Sequence, residues 1–550
     1  TITAFDAGGG DIAVDYEILN RTTRSIRAGL MLAARPYQVN PPAQFLNLAG
    51  GTARIRKIER HGTQINGTLV VNDRQMFIGH GELIAAPYES GDVVADWLRT
   101  GRLPATSAAY DTFEAASGLV NIDELTLSPG SMSMFRLTIP FKDGSTPHRS
   151  DDLGKTIEKW RRILHVPRIE VPTAGQPLIE SMNAQLGYIL VNRAGPAIQP
   201  GSRAYARSWI RDGSLTSSAL LRLGHFKEVA DFIKWFAPHQ FENGKIPCVV
   251  DKRGADPVPE HDSSGEFIFL VAEYLRYTGD RSLAREMWPR VERAAVYLDT
   301  LRQERRTDAW RAPDKAEFFG LLPPSISHEG YSAKPMHSYW DDSFAYRGFK
   351  DAAWLAGQLG KKREAANWDV VAAEFGRDLG NSVAAARRRH GIAYIPGCAD
   401  LGDFDATSTT IFLSPTGAST VVTPDELTAT FDKYETFFTE RAAGAPWEAF
   451  TPYEIRNIGA FVRLDRRDRA LAMAEWSLGT QQPEGWRQWP EVVWHPGTPQ
   501  KFIGDLPHTW VGSDFIRSVL DMFVYVREDD QALVVGAGIP TAWLDDPGGV

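Results

Sequence analysis

RLGHFKEVADFIKW, at 222–235, decides the fold. One helix ends at Leu223, Gly224 supplies the stop, a charged turn follows, and an apolar stripe resumes with a period of 3.6. The same grammar returns in YTGDRSLAREMW (277–288), in QLGKKREAANW (358–368) and, without the glycine, in RLDRRDRALAMAEW (463–476). Each stretch is the elbow of a helical hairpin. A hairpin of this kind cannot cover its apolar face alone, so consecutive ones close into a ring or run on as a solenoid.

Working outward, period and caps predict about twelve helices, at 177–193, 212–223, 226–238, 263–278, 281–303, 342–359, 361–386, 405–413, 425–440, 452–464, 466–479 and 509–527. Short connections (GHF, GDR, GKK) alternate with long ones at 193–211, 239–262, 304–341, 387–404, 441–451 and 480–508. Long loops confined to one end of a ring build a single crowded face, and long loops in compact domains usually carry function. The expected architecture over 176–528 is therefore an (α/α)6 toroid of six hairpins.

Before it, the runs DIAVDYEIL, RAGLMLAARPY, GTLVVN and FRLTIPF alternate in the manner of strands between Gly, Asn, Pro and Asp. This predicts an antiparallel β-sandwich over 1–148. The stretch DGSTPHRSDD (143–152) marks the change of grammar, LGKTIEKWRRIL reads as a connecting helix within a linker at 149–175, and 529–550 reads as a tail that opens a further β domain. The chain starts at Thr1 in strand grammar, as a processed chain or a fragment would, which leaves compartment open along with oligomeric state.

A hydrophobic fraction of 43% and a charged fraction of 23% describe an ordinary globular protein. The net charge of -9 without a basic stripe argues against a nucleic-acid partner. No run approaches the roughly 20 apolar residues that cross a membrane, so no membrane partner is expected. Cys248 and Cys398 are too few and too far apart for a disulfide framework or a metal site. No His-x-x-x-His pair, calcium-type loop, G-x-S-x-G elbow or phosphate-cradling Gly loop appears, so neither metal nor cofactor is expected.

Four long loops end in polar and aromatic clusters. YARSWIRDGS (205–214) places Trp209, Arg211 and Asp212 at a helix start, where an Arg–Asp pair can hold sugar hydroxyls or simply cap the helix. VVDKRGADPVPEHDSSGEF (249–267) concentrates Glu260, His261 and Asp262 between prolines and a helix. GLLPPSISHEGYS (320–332) brings His328 and Glu329 towards Trp340, Asp341 and Asp342. Carboxyl groups against aromatic walls stay protonated near neutral pH and suit protonation of a sugar oxygen, whereas the plainer role of adjacent Asp residues there is capping. The fourth loop, from Gln482, sets Glu491 among Trp486, Trp489 and Trp494.

These loops resemble those of the glucoamylase-like glycoside hydrolases of family 15 and their six-hairpin relatives. YARSWIRDGSLTSSALL is similar to that family's Trp-x-Arg-Asp segment, PEHDSSGEFIFLVAEYL to its Arg-Asp-Gly-Pro segment, YWDDSFAYRGFKDAA to its Trp-Glu-Glu acid motif, and the loop through Glu491 to its late base-carrying loop. The resemblance covers about Gln176 to Arg527. It implies an oligo- or polysaccharide substrate, with Asp341 as general acid and Glu491 as general base. By the same resemblance Trp209, Arg211, Asp212, His261 and Asp262 would bind the sugar at the cleavage point, and Glu260, His328, Glu329, Trp340, Asp342 and Trp489 on the same loops are further candidates to bind it.

Two departures stand out. Asp-Asp replaces Glu-Glu, which moves the acid back by one methylene and resembles the Asp acid of trehalase-like and processing-glucosidase-like toroids, and His261 stands where Arg is usual. The expectation is an inverting, exo-acting glycosidase whose two carboxyls stand about 6.5–9.5 Å apart. A phosphorylase or polysaccharide lyase on the same architecture, or a non-catalytic sugar-binding protein, are the alternatives.

Overall fold

The computed structural model describes residues 1–8, 11–36, 53–63, 66–79, 82–86, 91–102, 108–140, 153–164, 166, 168–405, 407–499, 502–528 and 530–544. The DGSTPHRSDD stretch at 143–152 lies wholly outside them, and with it the expected boundary at 148. The chain forms two compact units, Thr1–His165 and Val166–Val550.

The first unit is built from β1 (Ile2–Gly8), β2 (Asp11–Leu19), β3 (Ile26–Ala34), β4 (Lys57–Thr63), β5 (Asn66–Val71), β6 (Arg74–Gly79), β7 (Glu82–Ala86), β8 (Ala108–Tyr110), β9 (Ser117–Leu127) and β10 (Met132–Pro140). One antiparallel sheet runs β1-β2-β10-β6-β5-β4-β8, and a second runs β3-β9-β7. Ile58 and Leu69 of the first sheet share a core with Val120, Leu30 and Leu32 of the second. In β2 the inward positions are Asp11, Ala13 and Asp15, while Ile12 is exposed. Asp15 is tolerated inside because Arg136 of the neighbouring strand meets it with two hydrogen bonds of 2.5 and 2.7 Å. Two helices, α1 (Val93–Thr100) and α2 (Leu153–Ile163), complete the unit, and Leu153 packs on Phe5, Ala7 and Ala13.

The second unit contains α3 (Gln176–Asn192), α4 (Ile210–Arg222), α5 (Phe226–Phe236), α6 (Asp262–Thr278), α7 (Arg281–Gln303), α8 (Tyr339–Gln358), α9 (Lys362–His390), α10 (Pro424–Ala442), α11 (Arg456–Arg463), α12 (Arg467–Leu478), α13 (Thr509–Phe523) and the short α14 (Thr541–Leu544). The helix expected at 405–413 is instead a 3-10 turn, Ser408–Phe412. Asp405 takes the Thr407 and Ser408 N–H groups and the Thr410 hydroxyl bonds back to the Thr407 carbonyl, so side chains claim backbone groups that an α-helix needs.

Packing follows a cycle. Helix α4 lies against α6, α6 against α8, α8 against the 408–412 turn, that turn against α11, α11 against α13, and α13 against α4. Outside these, α5 and α7 cover the crevices beside α6, α9 covers α8, α12 covers α11 and α3 covers α13. The inner helices are buried nearly all round, as Ile210–Leu221 of α4 shows. Closest approach falls between α6 and α8: a Cβ on Gly265 would collide with the Phe344 carbonyl, and one on Gly348 would lie 2.9 Å from the Gly265 Cα. Beyond α13 the chain pairs Val524–Val526 with Leu533–Val535, and Trp543 of α14 is buried against Gly175 of this same unit.

Every long connection in the second unit ends at the start of an inner element, at Ile210, Asp262, Tyr339, Ser408, Arg456 or Thr509. The loop residues and the first turns of the inner helices therefore share one end.

Candidate active site

Arg211, in the first turn of α4, organises one half of that end. Its Nη1 donates to Glu260 Oε2 at 2.5 Å and lies 3.5 Å from Asp262 Oδ2, while its Nε is 3.8 Å from Asp212 Oδ2. Asp262 also accepts from Trp340 Nε1 at 2.9 Å. The His328 ring stacks on Trp340 at 5.1 Å, and its Nε2 is 2.5 Å from Ser408 Oγ. Arg211, Asp212, Glu260, Asp262, His328 and Trp340 thus meet.

Glu491 organises the other half. Tyr205 donates its hydroxyl to Oε2, and Tyr453 donates to Oε1 over 3.1 Å. Trp209 Nε1 donates to Glu329 Oε1 at 3.0 Å, and the Tyr205 ring meets Trp209 edge-on at 5.8 Å. Asp212 links the halves, since it faces Arg211 on one side and feels the charges of Glu329 and Glu491 on the other.

Burial dominates the electrostatics. It pushes the Asp212 carboxyl up to about 7, although Arg211 pulls the other way. Glu491 is likewise raised to about 7 by burial, tempered by the two phenols. Asp341 is raised to about 7, first by burial and then by the charge of Asp262, against hydrogen bonds from Ser325, Ser327 and the His261 N–H. Burial lifts Glu260 well above the carboxylate range despite Arg211. Carboxyls poised near neutrality can take up or release protons at ordinary pH, which acid–base chemistry requires.

The capping role open to Asp341 and Asp342 belongs to another residue. Ser338 is the N-cap of α8, and its Oγ accepts from the Trp340 N–H at 3.2 Å. Asp341 is 1% exposed, and its two oxygens take the hydroxyls of Ser325 (2.5 Å) and Ser327 (2.8 Å). Asp342 turns instead to the loop backbone, accepting the Leu322 N–H at 2.9 Å. The Trp489 indole donates to the Ser477 carbonyl and packs on Phe515, so its ring fills core and does not join the cluster. Burial pushes the His261 imidazole down to about 3, with Lys245 and Arg305 acting in the same sense, and it stays neutral.

Sequence reasoning passed over Tyr205, Tyr453, Arg456, Trp510 and Glu266. Arg456 pairs with Asp514 at 2.6 Å and lies over the rings of Trp340, Tyr453 and Trp510 at 5.3, 4.9 and 4.7 Å. Tyr205 stood within the quoted YARSWIRDGS motif, but a phenol carries no signal until its acceptor is known. Glu266, one helical turn after Asp262, is buried, and neither of its carboxyl oxygens has a hydrogen-bond partner among the described residues. Its i+4 spacing from Asp262 was the available signal.

Among the described residues no group of three or more His, Cys, Asp or Glu is arranged to hold a metal ion, both cysteines are free and buried, and no helix is long and apolar enough to cross a membrane. No family model matches the chain, and no curated protein matches it. Among solved structures, a bacterial glucoamylase complexed with acarbose superposes with a TM-score of 0.60 at 11% identity, covering 95% of this chain and 83% of that one. A rhamnosidase from Klebsiella oxytoca with rhamnose bound aligns at 14% identity over 90% of this chain and 96% of that one, with a TM-score of 0.47. At such identities the glucoamylase likeness speaks for fold alone, and the fold is six-hairpin glycosidase-like.

Proposed function

We propose that this chain is an inverting, exo-acting glycoside hydrolase acting on an oligo- or polysaccharide. The cycle of inner helices with its outer layer is read as an (α/α)6 toroid over about 176–528, and the two sheets of the first unit as a β-sandwich. One observation carries the functional reading: Glu491, raised to about 7, is held between two phenols and faces Asp212 and Glu329 beside an arginine-and-indole surround. In its ionised form Glu491 would draw a proton from water, and Arg211, Asp212 and Trp209 would hold the sugar.

Two carboxyls compete for the acid. Asp341, expected from the resemblance, is raised to about 7 and so is about half protonated at neutral pH. Its oxygens are occupied by two serines, however, and it is almost wholly buried. Glu329 stands on the loop those serines belong to, is only partly buried, and lies in the field of Asp212 and Glu491. This favours Glu329 as the group that reaches the leaving oxygen, with Asp341 positioning its loop.

Aryl glycosides of graded leaving-group ability separate the two. If Glu329 is the acid, Glu329→Gln abolishes cleavage of poor leaving groups and spares good ones, while Asp341→Asn slows both alike; the reverse pattern assigns the acid to Asp341. NMR of the first-formed anomer tests inversion, and retention would refute it. No turnover on a broad glycoside panel would remove the hydrolase reading. Turnover only with phosphate would point to a phosphorylase, an unsaturated product to a lyase, and sugar binding without turnover to a binding protein.

A further inference from the structure

The helices that bear the carboxylate cluster at their N-terminal ends have a second face at their C-terminal ends. There α4, α6, α8 and α13 enclose a cavity of about 890 Å³, within the size range of small-molecule sites. Arg222, Arg276, Arg347, Lys350, Arg463 and Arg517 line it. Against these six cations stand four lining carboxylates, Glu273, Asp351, Asp521 and Glu528, a surplus of two positive charges.

Cations at helix C-termini are ordinary, because they complement the helix dipole. That accounts for Arg222, Arg276 and Arg463, each in the last turn of its helix. It does not account for Arg347 and Lys350, which lie in the middle of α8, or for Arg517 in the middle of α13.

The ion pairs show under-neutralisation. Asp351 is shared by Arg276 and Arg347, and Asp521 by Arg222 at 2.7 Å and Arg463 at 2.9 Å. Glu528 pairs with Arg347 at 2.6 Å and stands 3.7 Å from Lys350 Nζ, which makes no hydrogen bond among the described residues. Among the described residues the Arg517 guanidinium makes only long hydrogen bonds, 3.3 Å to Asp514 and 3.5 Å to Ser414 Oγ. Tyr277 adds a half-exposed ring to the wall.

We propose that this cavity binds a small anionic ligand, its phosphate or carboxylate group seated against the Lys350 ammonium and its ring against Tyr277. Doubly donating guanidiniums and a mobile ammonium suit either oxyanion. The site lies apart from Glu491 and does not depend on the glycosidase reading.

Isothermal titration calorimetry on the full chain tests it, with inorganic phosphate, glucose 6-phosphate and glucuronate at constant ionic strength and chloride as the control. Saturable binding of at least one probe is expected, weakened about tenfold by Lys350→Glu, the scale of one lost charge-assisted hydrogen bond. Preference for the phosphates over glucuronate names phosphate as the anion, and the reverse names carboxylate. Arg347→Met strips a partner from Asp351 and risks the fold, whereas Lys350 is 30% exposed, and Lys350→Gln, which sets no like charge beside Glu528, should weaken binding in the same sense and melt as the parent does. Heats equal to the chloride control for all three probes, or an affinity that Lys350→Glu leaves unchanged in a folded protein, would overturn the proposal.

Discussion

Ser327 Oγ donates to Asp341 Oδ1 over 2.8 Å, and this contact fastens the loop carrying Glu329 to the first turn of α8. Ser325 makes the companion bond to Oδ2, and its own Oγ also accepts the Ser327 N–H at 2.7 Å. Ser327→Ala should therefore cost about 1 kcal/mol of stability, the ordinary worth of a buried hydrogen bond. Turnover should fall further than stability does, because Glu329 loses its anchor. Denaturant unfolding beside kcat and KM measurements checks this, and an unchanged kcat would detach Asp341 from the reaction.

Tyr453→Phe removes a hydroxyl that holds Glu491 down. The Glu491 carboxyl should then titrate at a higher pH, and the acid limb of kcat/KM should move upward with it. Glu491→Gln should remove that limb and lower kcat by roughly 10²–10⁴-fold while leaving the circular dichroism unchanged.

Stability should fall as pH rises through neutrality. Asp212, Asp341 and Glu491 titrate at about 7 in the folded chain, above their unfolded values near 4. A raised carboxyl favours the folded state below its unfolded pKa, and that contribution is lost as pH climbs through the folded one. Asp351, Asp521 and Glu528 are held low by arginines, so their contribution is present above the unfolded range and is lost in acid. Urea titrations should thus show maximum stability near pH 5, declining towards pH 8. Asp341→Asn should flatten the decline, and an unchanged slope would contradict the assignment.

Gly265→Ala should destabilise the second unit by about 1–3 kcal/mol or more through overpacking, because the Phe344 carbonyl is backbone and cannot swing aside. Gly357→Ala, in open space on α8, is the control and should be neutral or stabilising. Thermal unfolding of the two variants side by side measures the difference.

The helices were legible because local signals define them. The prediction of 281–303 coincides with α7, and 226–238 differs from α5 only at its end. Legibility failed where a side chain competes for backbone groups, as Asp405 does, and where a partner distant in sequence supplies a charge, as Arg136 does for Asp15. Most predicted site residues do meet, since the long loops all end on one face. The place of Trp489 was not legible, because an indole that stacks on a sugar and one that donates to Ser477 look alike in sequence.

By itself, then, the sequence determined the hairpin repeat, the alternation of short and long connections, and the loops rich in carboxylates and indoles. These depend on period, caps and composition, which act over a few residues. Tertiary structure decided which carboxylate is buried, which is shared and which is reachable. Asp341 and Glu329 lie twelve positions apart in one stretch, yet one is enclosed by two serines while the other receives an indole N–H from Trp209. Burial and distant partners set the charge state of such a group, and no local pattern encodes them.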